Sequence, residues 1–198
     1  MRMLKAEALA FLTLLCAATA ANAGWREDAS AFDAQRLAKI DESRAKGLGE
    51  AERATPADYA AVRSIMDAAA VPASAGALTG SWRCRTIKLG GLTPAIVYTW
   101  FHCRISDKGG VLFFEKLTGS QRTSGTLYPD GQGFVYLGAS YVTGEKPSRY
   151  SGTGAEAGAP ATPDDQIGLL SLLADGRARL ELPYPVLESD FDVLELRR

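Results

Sequence analysis

His102 and Cys103 stand side by side in the run Trp100-Phe101-His102-Cys103-Arg104-Ile105, and His102 is the only histidine of the chain. Two chemistries use this pair of residue types: a thiolate nucleophile activated by an imidazole base, and nitrogen–sulfur ligation of a metal ion. The setting is poor for both. The run alternates like a strand, and neighbours in a strand point to opposite faces, so His102 reaches Cys103 only across a local bulge. A structural zinc site wants four ligands, and one His with two Cys falls short. Other catalytic signatures are missing or incomplete. There is no G-x-S-x-G, and Ser43-Arg44-Ala45-Lys46 matches S-x-x-K by letter without the S-D-N or K-T-G partners. Residues 152–158 are glycine-rich but miss the G-x-G-x-x-G spacing. No catalytic residue, metal site or cofactor is assigned from the sequence.

The role of the cysteines turns on compartment. The chain starts with the basic MRMLK, continues with the apolar AEALAFLTLLCAATA, and reaches a small-x-small pattern at Ala21-Asn22-Ala23. Residues 1–23 therefore read as a signal peptide cleaved after Ala23. The apolar run is short for a span of about 20 residues and contains Glu7. Leu15 ahead of Cys16 does not suit a lipid-attachment motif. Cleavage removes Cys16 and leaves Cys84 and Cys103, and a pair of cysteines in an oxidising compartment reads as a disulfide. Without Arg2, Lys5 and Glu7 the 22 basic and 23 acidic side chains become 20 and 22, a net charge of about −2. Such a balance implies no nucleic-acid partner. No later run is long and apolar enough for a transmembrane helix. The expectation is a soluble periplasmic protein.

The elements that must hold these residues follow from periodicity. Residues 25–71 carry helical spacing. A first helix is predicted near 29–46, with Phe32, Leu37 and Ile40 on one face and a stop at Gly47-Leu48-Gly49. A second opens at Thr55-Pro56-Ala57-Asp58 and points Tyr59, Val62, Ile65, Met66 and Ala69 one way before Val71-Pro72. Residues 73–79 are a linker of small residues. Period 2 then takes over, and eight strands are expected at 81–89, 95–106, 110–118, 123–129, 133–142, 166–173, 177–183 and 190–197. Turns such as Pro129-Asp130-Gly131 and Asp175-Gly176 separate them. Residues 143–165 form one long Gly/Ala/Pro-rich loop. The predicted fold class is α+β, mainly β. A helical hairpin (24–72) packs on an antiparallel domain (73–198) whose strands, about eight of them, close into a barrel or bend strongly.

Placing Cys84 opposite Cys103 in the first hairpin sorts the side chains. Trp82, Cys84 and Thr86 share a face with Phe101, Cys103 and Ile105, while Arg83, Arg85, His102 and Arg104 share the other. The four basic residues are a candidate anion site, for a phosphate or carboxylate. Asp33, Asp41 and Glu42 of the helices are the alternative partners for these charges. A second candidate is the hydroxyl-rich segment 116–125, where Ser120, Gln121 and Arg122 would recognise a ligand at a rim. Glu188, Asp190, Asp192 and Glu195 make an acidic C-terminal stretch, read as solvated charge on an edge or closing strand, with a cation site or partners of the arginines as the alternatives.

The motifs W-R-C-R-x-I-K-L-G-G (82–91), W-F-x-C-R-I (100–105), F-E-K-L-T-G-S-Q-R-x-x-G-x-L-Y-P-D (114–130), Y-L-G (136–138) and E-S-D-x-D-V-L-E-L (188–196) together resemble the DUF4893 family of exported proteobacterial proteins. The resemblance spans most of the chain after the leader and implies no catalytic residues, since that family has no assigned activity. Gly80-Ser81-Trp82 also resembles the G-x-W of lipocalin-type barrels and of small bacterial barrel inhibitors of proteases. The expected function is a non-catalytic periplasmic binding protein for a small amphipathic or anionic ligand, or for an envelope protein. A protease-inhibitor-like barrel and a hydrolase are the alternatives.

Overall fold

The computed structural model describes residues 24–152 and 162–198. The expected signal peptide and the centre of the long loop, with most of its glycine-rich run, lie outside the described residues. The helical segment comprises α1 (Trp25–Asp28), α2 (Ala31–Ala38), α3 (Ile40–Ala51) and α4 (Pro56–Met66). Where the sequence predicts one helix over 29–46, the chain makes two. Ser30 caps α2 by accepting from the Asp33 amide, and the backbone turns at Lys39 (φ −101°, ψ 19°) into α3. Nor does α3 stop at Gly47-Leu48-Gly49. A Cβ on Gly47 would lie 2.8 Å from Phe191 Cβ and 3.0 Å from Leu89 Cβ, so this glycine lets the helix lie close against the sheet. Helix α4 starts as the sequence suggests, with Thr55 Oγ1 accepting from the Asp58 amide and Pro56 in the first turn. After α4, whose expected last residue Ala69 lies beyond its end, comes β1 (Ala70–Val71), and the linker contains α5 (Ala75–Leu78).

The remaining strands are β2 (Gly80–Gly90), β3 (Thr93–Val97), β4 (Phe101–Asp107), β5 (Leu112–Lys116), β6 (Gln121–Asp130), β7 (Gly133–Val142), β8 (Asp165–Leu173), β9 (Ala178–Pro183) and β10 (Phe191–Arg197). From β4 onward each strand pairs antiparallel with its successor, and β10 returns to β2, which pairs with β4. Eight strands thus close into an up-and-down barrel, with β3 extending the β4 side of β2 and β1 extending the β7 side of β8.

The single strand expected over 95–106 is therefore two. The Tyr98 amide donates to the Thr86 carbonyl, whereas Cys84 faces Phe101, so both Thr99 and Trp100 stand against Arg85 as a β-bulge. The register moves accordingly: Trp82, not Cys84, lies opposite Cys103. The displacement from the expected pairing is two residues, and an even displacement leaves the faces unchanged. Cys84 and Cys103 remain together inside as diagonal neighbours and form a disulfide, their Cα atoms 5.8 Å apart.

The barrel interior is packed with Trp82, Ile105, Leu112, Phe114, Leu127, Tyr136, Leu170, Leu180 and Leu196 around the disulfide. Trp82 Nε1 donates to the Leu78 carbonyl (2.8 Å), tying α5 over this end. Outside, α3 and α4 set Ala51, Val62 and Ile65 on Ile87, Leu89, Phe191 and Val193, and α1 sets Trp25 on Val135, Leu137 and Ile167. The fully buried residues of α2 are ionic, while Leu37 and Ile40 of the expected stripe are partly buried against the outer apolar clusters. Asp33 and Arg36 are its buried residues, and Arg36 also donates to the carbonyls of Tyr184 (3.0 Å) and Asp165 (2.9 Å). Arg179 on β9 donates to the Ile65 and Met66 carbonyls, supplying the partners that the C-terminus of α4 lacks. Ser43 of the S-x-x-K match is buried in this seam, donating to the Asp190 carbonyl (2.7 Å).

Candidate functional site

Inward-facing residues change character along the barrel. On β2 they run Trp82, Cys84, Thr86, Lys88; on β5, Leu112, Phe114, Lys116; on β10, Leu196, Leu194, Asp192. Because the strands alternate in direction, the last member of each series comes to the same end. A cavity of about 400 Å³ lies there, within the range of small-molecule sites. Its charged lining is mixed, Lys88, Lys116, Arg122 and Arg36 against Glu188, Asp192, Glu145, Asp164 and Asp165, and Leu182, Val186 and Leu194 give it an apolar side. At one point of its lining, Thr123 Oγ1 lies 2.6 Å from both the Tyr136 hydroxyl and Gln166 Oε1. The Y-L-G motif has a local explanation here: a Cβ on Gly138 would collide with the Tyr136 hydroxyl.

Lys116 is the unusual member. It is only 6% exposed, yet its Nζ faces no ion-pair partner among the described residues. The amine donates to the Gln121 carbonyl (2.7 Å) and sits 4.4 Å from the centroid of the Phe101 ring. Burial, with the Lys88 and Arg122 cations adding to it, pushes its pKa down to about 8. Lys88 is treated in the opposite way. Burial opposes its charge, but a hydrogen bond to Glu188 and the nearby Asp192 outweigh it and raise its pKa. Burial pushes the Asp192 carboxyl up to about 6, although Ser189 Oγ donates to it (2.6 Å) and Lys88 stands opposite in the ladder.

Of the candidates read from sequence, Gln121 and Arg122 line the cavity. Ser120 lies next to it and serves through its carbonyl, which accepts from the Thr143 amide (2.9 Å). Arg83, Arg85, His102 and Arg104 do come together, but on the outer wall, across the sheet from the cavity. Arg85 pairs there with Glu195 (2.7 Å), and the guanidinium groups of Arg85 (4.7 Å) and Arg197 (3.9 Å) both lie over the Trp100 ring. The helical acids do not meet this wall: Asp33 binds Arg36, Asp41 binds Arg44, and Glu42 accepts from the Tyr184 hydroxyl. The acidic stretch divides. Glu195 serves Arg85 and Arg177, while Asp192 turns into the cavity.

The sequence places Lys116 in the 116–125 segment and Asp192 in the acidic stretch, but does not bring them together with Lys88 as a trio. Its signal was present as inward positions that turn charged at one end of three strands, but it needs the closed barrel to become one place. Among the described residues, no group of three or more His, Cys, Asp or Glu is arranged to hold a metal ion. No described helix is long and apolar enough to cross a membrane. No curated protein and no solved structure matches the chain. A family model described as a domain of unknown function, DUF4893, matches residues 25–196, from the first helix to the last strand, and the chain belongs to that family.

Proposed function

We propose that this protein is a non-catalytic binding protein, exported to the periplasm, that holds a small amphipathic anion in the charged end of its barrel. The observation that carries this reading is the buried Lys116 amine on the cavity wall, without a carboxylate partner among the described residues and flanked by Lys88 and Arg122. A buried cation lacking a counter-charge is costly, and an anionic headgroup beside it offsets that cost. Leu182, Val186 and Leu194 offer an apolar lining for the rest of the ligand. The signal-like leader and the Cys84–Cys103 disulfide support export to an oxidising compartment. Titration calorimetry with decanoate and with decylamine tests the reading. Saturable decanoate binding that decylamine does not reproduce, and that Lys116→Met abolishes, is expected. Equal binding of both probes, or binding of neither, would sink it.

A second surface supports an envelope partner. Arg83, His102 and Arg104 are exposed on the outer wall beside the Arg85–Trp100–Arg197 stack, on a chain of net charge −1. That local reversal of charge suits an acidic protein surface. Cross-linking in the native envelope should give an adduct that the double variant Arg83→Glu/Arg104→Glu loses while keeping decanoate binding.

A further inference from the structure

Two lysines line one cavity, and their surroundings treat them oppositely. Lys88 is paired with Glu188 and faces Asp192 across the ladder, which keeps it a cation. Lys116 has one carbonyl acceptor, one aromatic face and no carboxylate among the described residues. Titratable groups pushed apart within a single site are the usual mark of divided roles. A lysine desolvated beside other cations is also the arrangement that activates an amine toward carbonyl carbon. We propose that Lys116 holds its ligand covalently, as an imine between Nζ and the carbonyl carbon of an aldehyde or ketone that also carries an anionic group. It rests on the reading of the cavity as an anion site: the anionic group sits with Lys116, Lys88 and Arg122, and a carbonyl on the same small molecule meets the Lys116 Nζ.

The step balances without an oxidant or reductant. The Nζ lone pair forms a bond to the carbonyl carbon while the C=O π pair moves to oxygen, which takes a proton. The resulting carbinolamine loses its hydroxyl as water when the nitrogen lone pair closes the C=N bond. Amine and carbonyl are consumed, imine and one water are formed. Asp192 and Glu188 are the two carboxyl groups nearest Lys88 among the five that line the cavity, with Glu145, Asp164 and Asp165, and can relay the protons. The depressed pKa of Lys116 is consistent with the role, since it leaves a larger share of neutral amine near neutral pH.

The test uses the disulfide-bonded chain with 4-formylbenzoate as probe and cyanoborohydride to fix any imine, followed by peptide mapping of every lysine. Lys116 should be modified at least ~10-fold faster than the exposed Lys39 at pH 7.5, with a rate that rises to a midpoint near pH 8. Modification of Lys116 no faster than Lys39 would overturn the proposal, and wild-type protein suffices for that result. Lys116→Arg should remove the fast phase. Terephthalate, which replaces the aldehyde by a second carboxylate, is titrated without reductant as the companion measurement. Terephthalate binding with no fast phase rejects the imine and leaves the anion site standing; absence of both rejects the two together.

Discussion

Lys116 and Asp192 face one cavity, and burial works against the charge of each. The two consequences for stability have opposite signs. The folded chain holds the Lys116 proton less tightly than an unfolded chain, with a pKa of about 8 against 10.5. Stability is therefore depressed at pH 7 and recovers as pH rises from 8 toward 10.5. Lys116→Met should raise the melting temperature at pH 7, with a gain that shrinks by pH 10; melts at the two pH values check this. Asp192 holds its proton more tightly when folded, at about 6 against 3.8. Its contribution falls as pH rises through that window, so the cost is complete above pH 6 and absent below 3.8. Asp192→Asn, which can still accept from Ser189, should stabilise the protein at pH 7.5 by up to about 3 kcal/mol. Urea titrations should show that gain vanishing at pH 3.5.

Glycine usage in α3 separates two roles within one element. Gly47 touches the sheet, whereas a Cβ on the exposed Gly49 would meet nothing within 4 Å. Gly47→Ala must push the helix off Phe191 and Leu89 and should cost about 1–3 kcal/mol. Gly49→Ala should stabilise by about 0.5–1 kcal/mol through backbone entropy alone. Opposite movements of the urea midpoint are the check. The same pair shows why the end of this helix was misread: a glycine used for close approach and a glycine used as a cap are identical letters. Strands were more legible, because period 2 persists wherever one face is buried; 133–142 coincides with β7 and 166–173 with all but the first residue of β8. The bulge at Thr99-Trp100 was invisible because the residues on either side of it keep alternating. The break at Lys39 was invisible for another reason. Asp33, Arg36 and Ser43, the buried residues on either side of the break, are polar, and a search for apolar spacing does not register them.

At the scale of the molecule, closure through β8–β9 and β10–β2 gathers groups that the sequence spreads from Lys88 to Asp192. The two hydrogen-bonded seams also leave no long unpaired sheet edge in the barrel. The disulfide braces the wall between β2 and β4. It closes a loop with a sequence separation of 19. Replacing both cysteines by alanine should cost about 3 kcal/mol by the loop-entropy estimate, read as a lower denaturant midpoint. The seam between β10 and β2 has a further consequence, one of timing. Helices α3 and α4 lie on a surface made by β2, β3 and β10 together, through Ile87 and Leu89, Ala95 and Val97, and Phe191 and Val193. A ribosome makes the helices and β2 early and β10 last. Until β10 is made, the helices lack the Phe191–Val193 part of their docking surface, and β2 and β9 are free edges. Deleting β10 should therefore loosen α3 from the sheet as well as open the barrel, two regions far apart in sequence failing together.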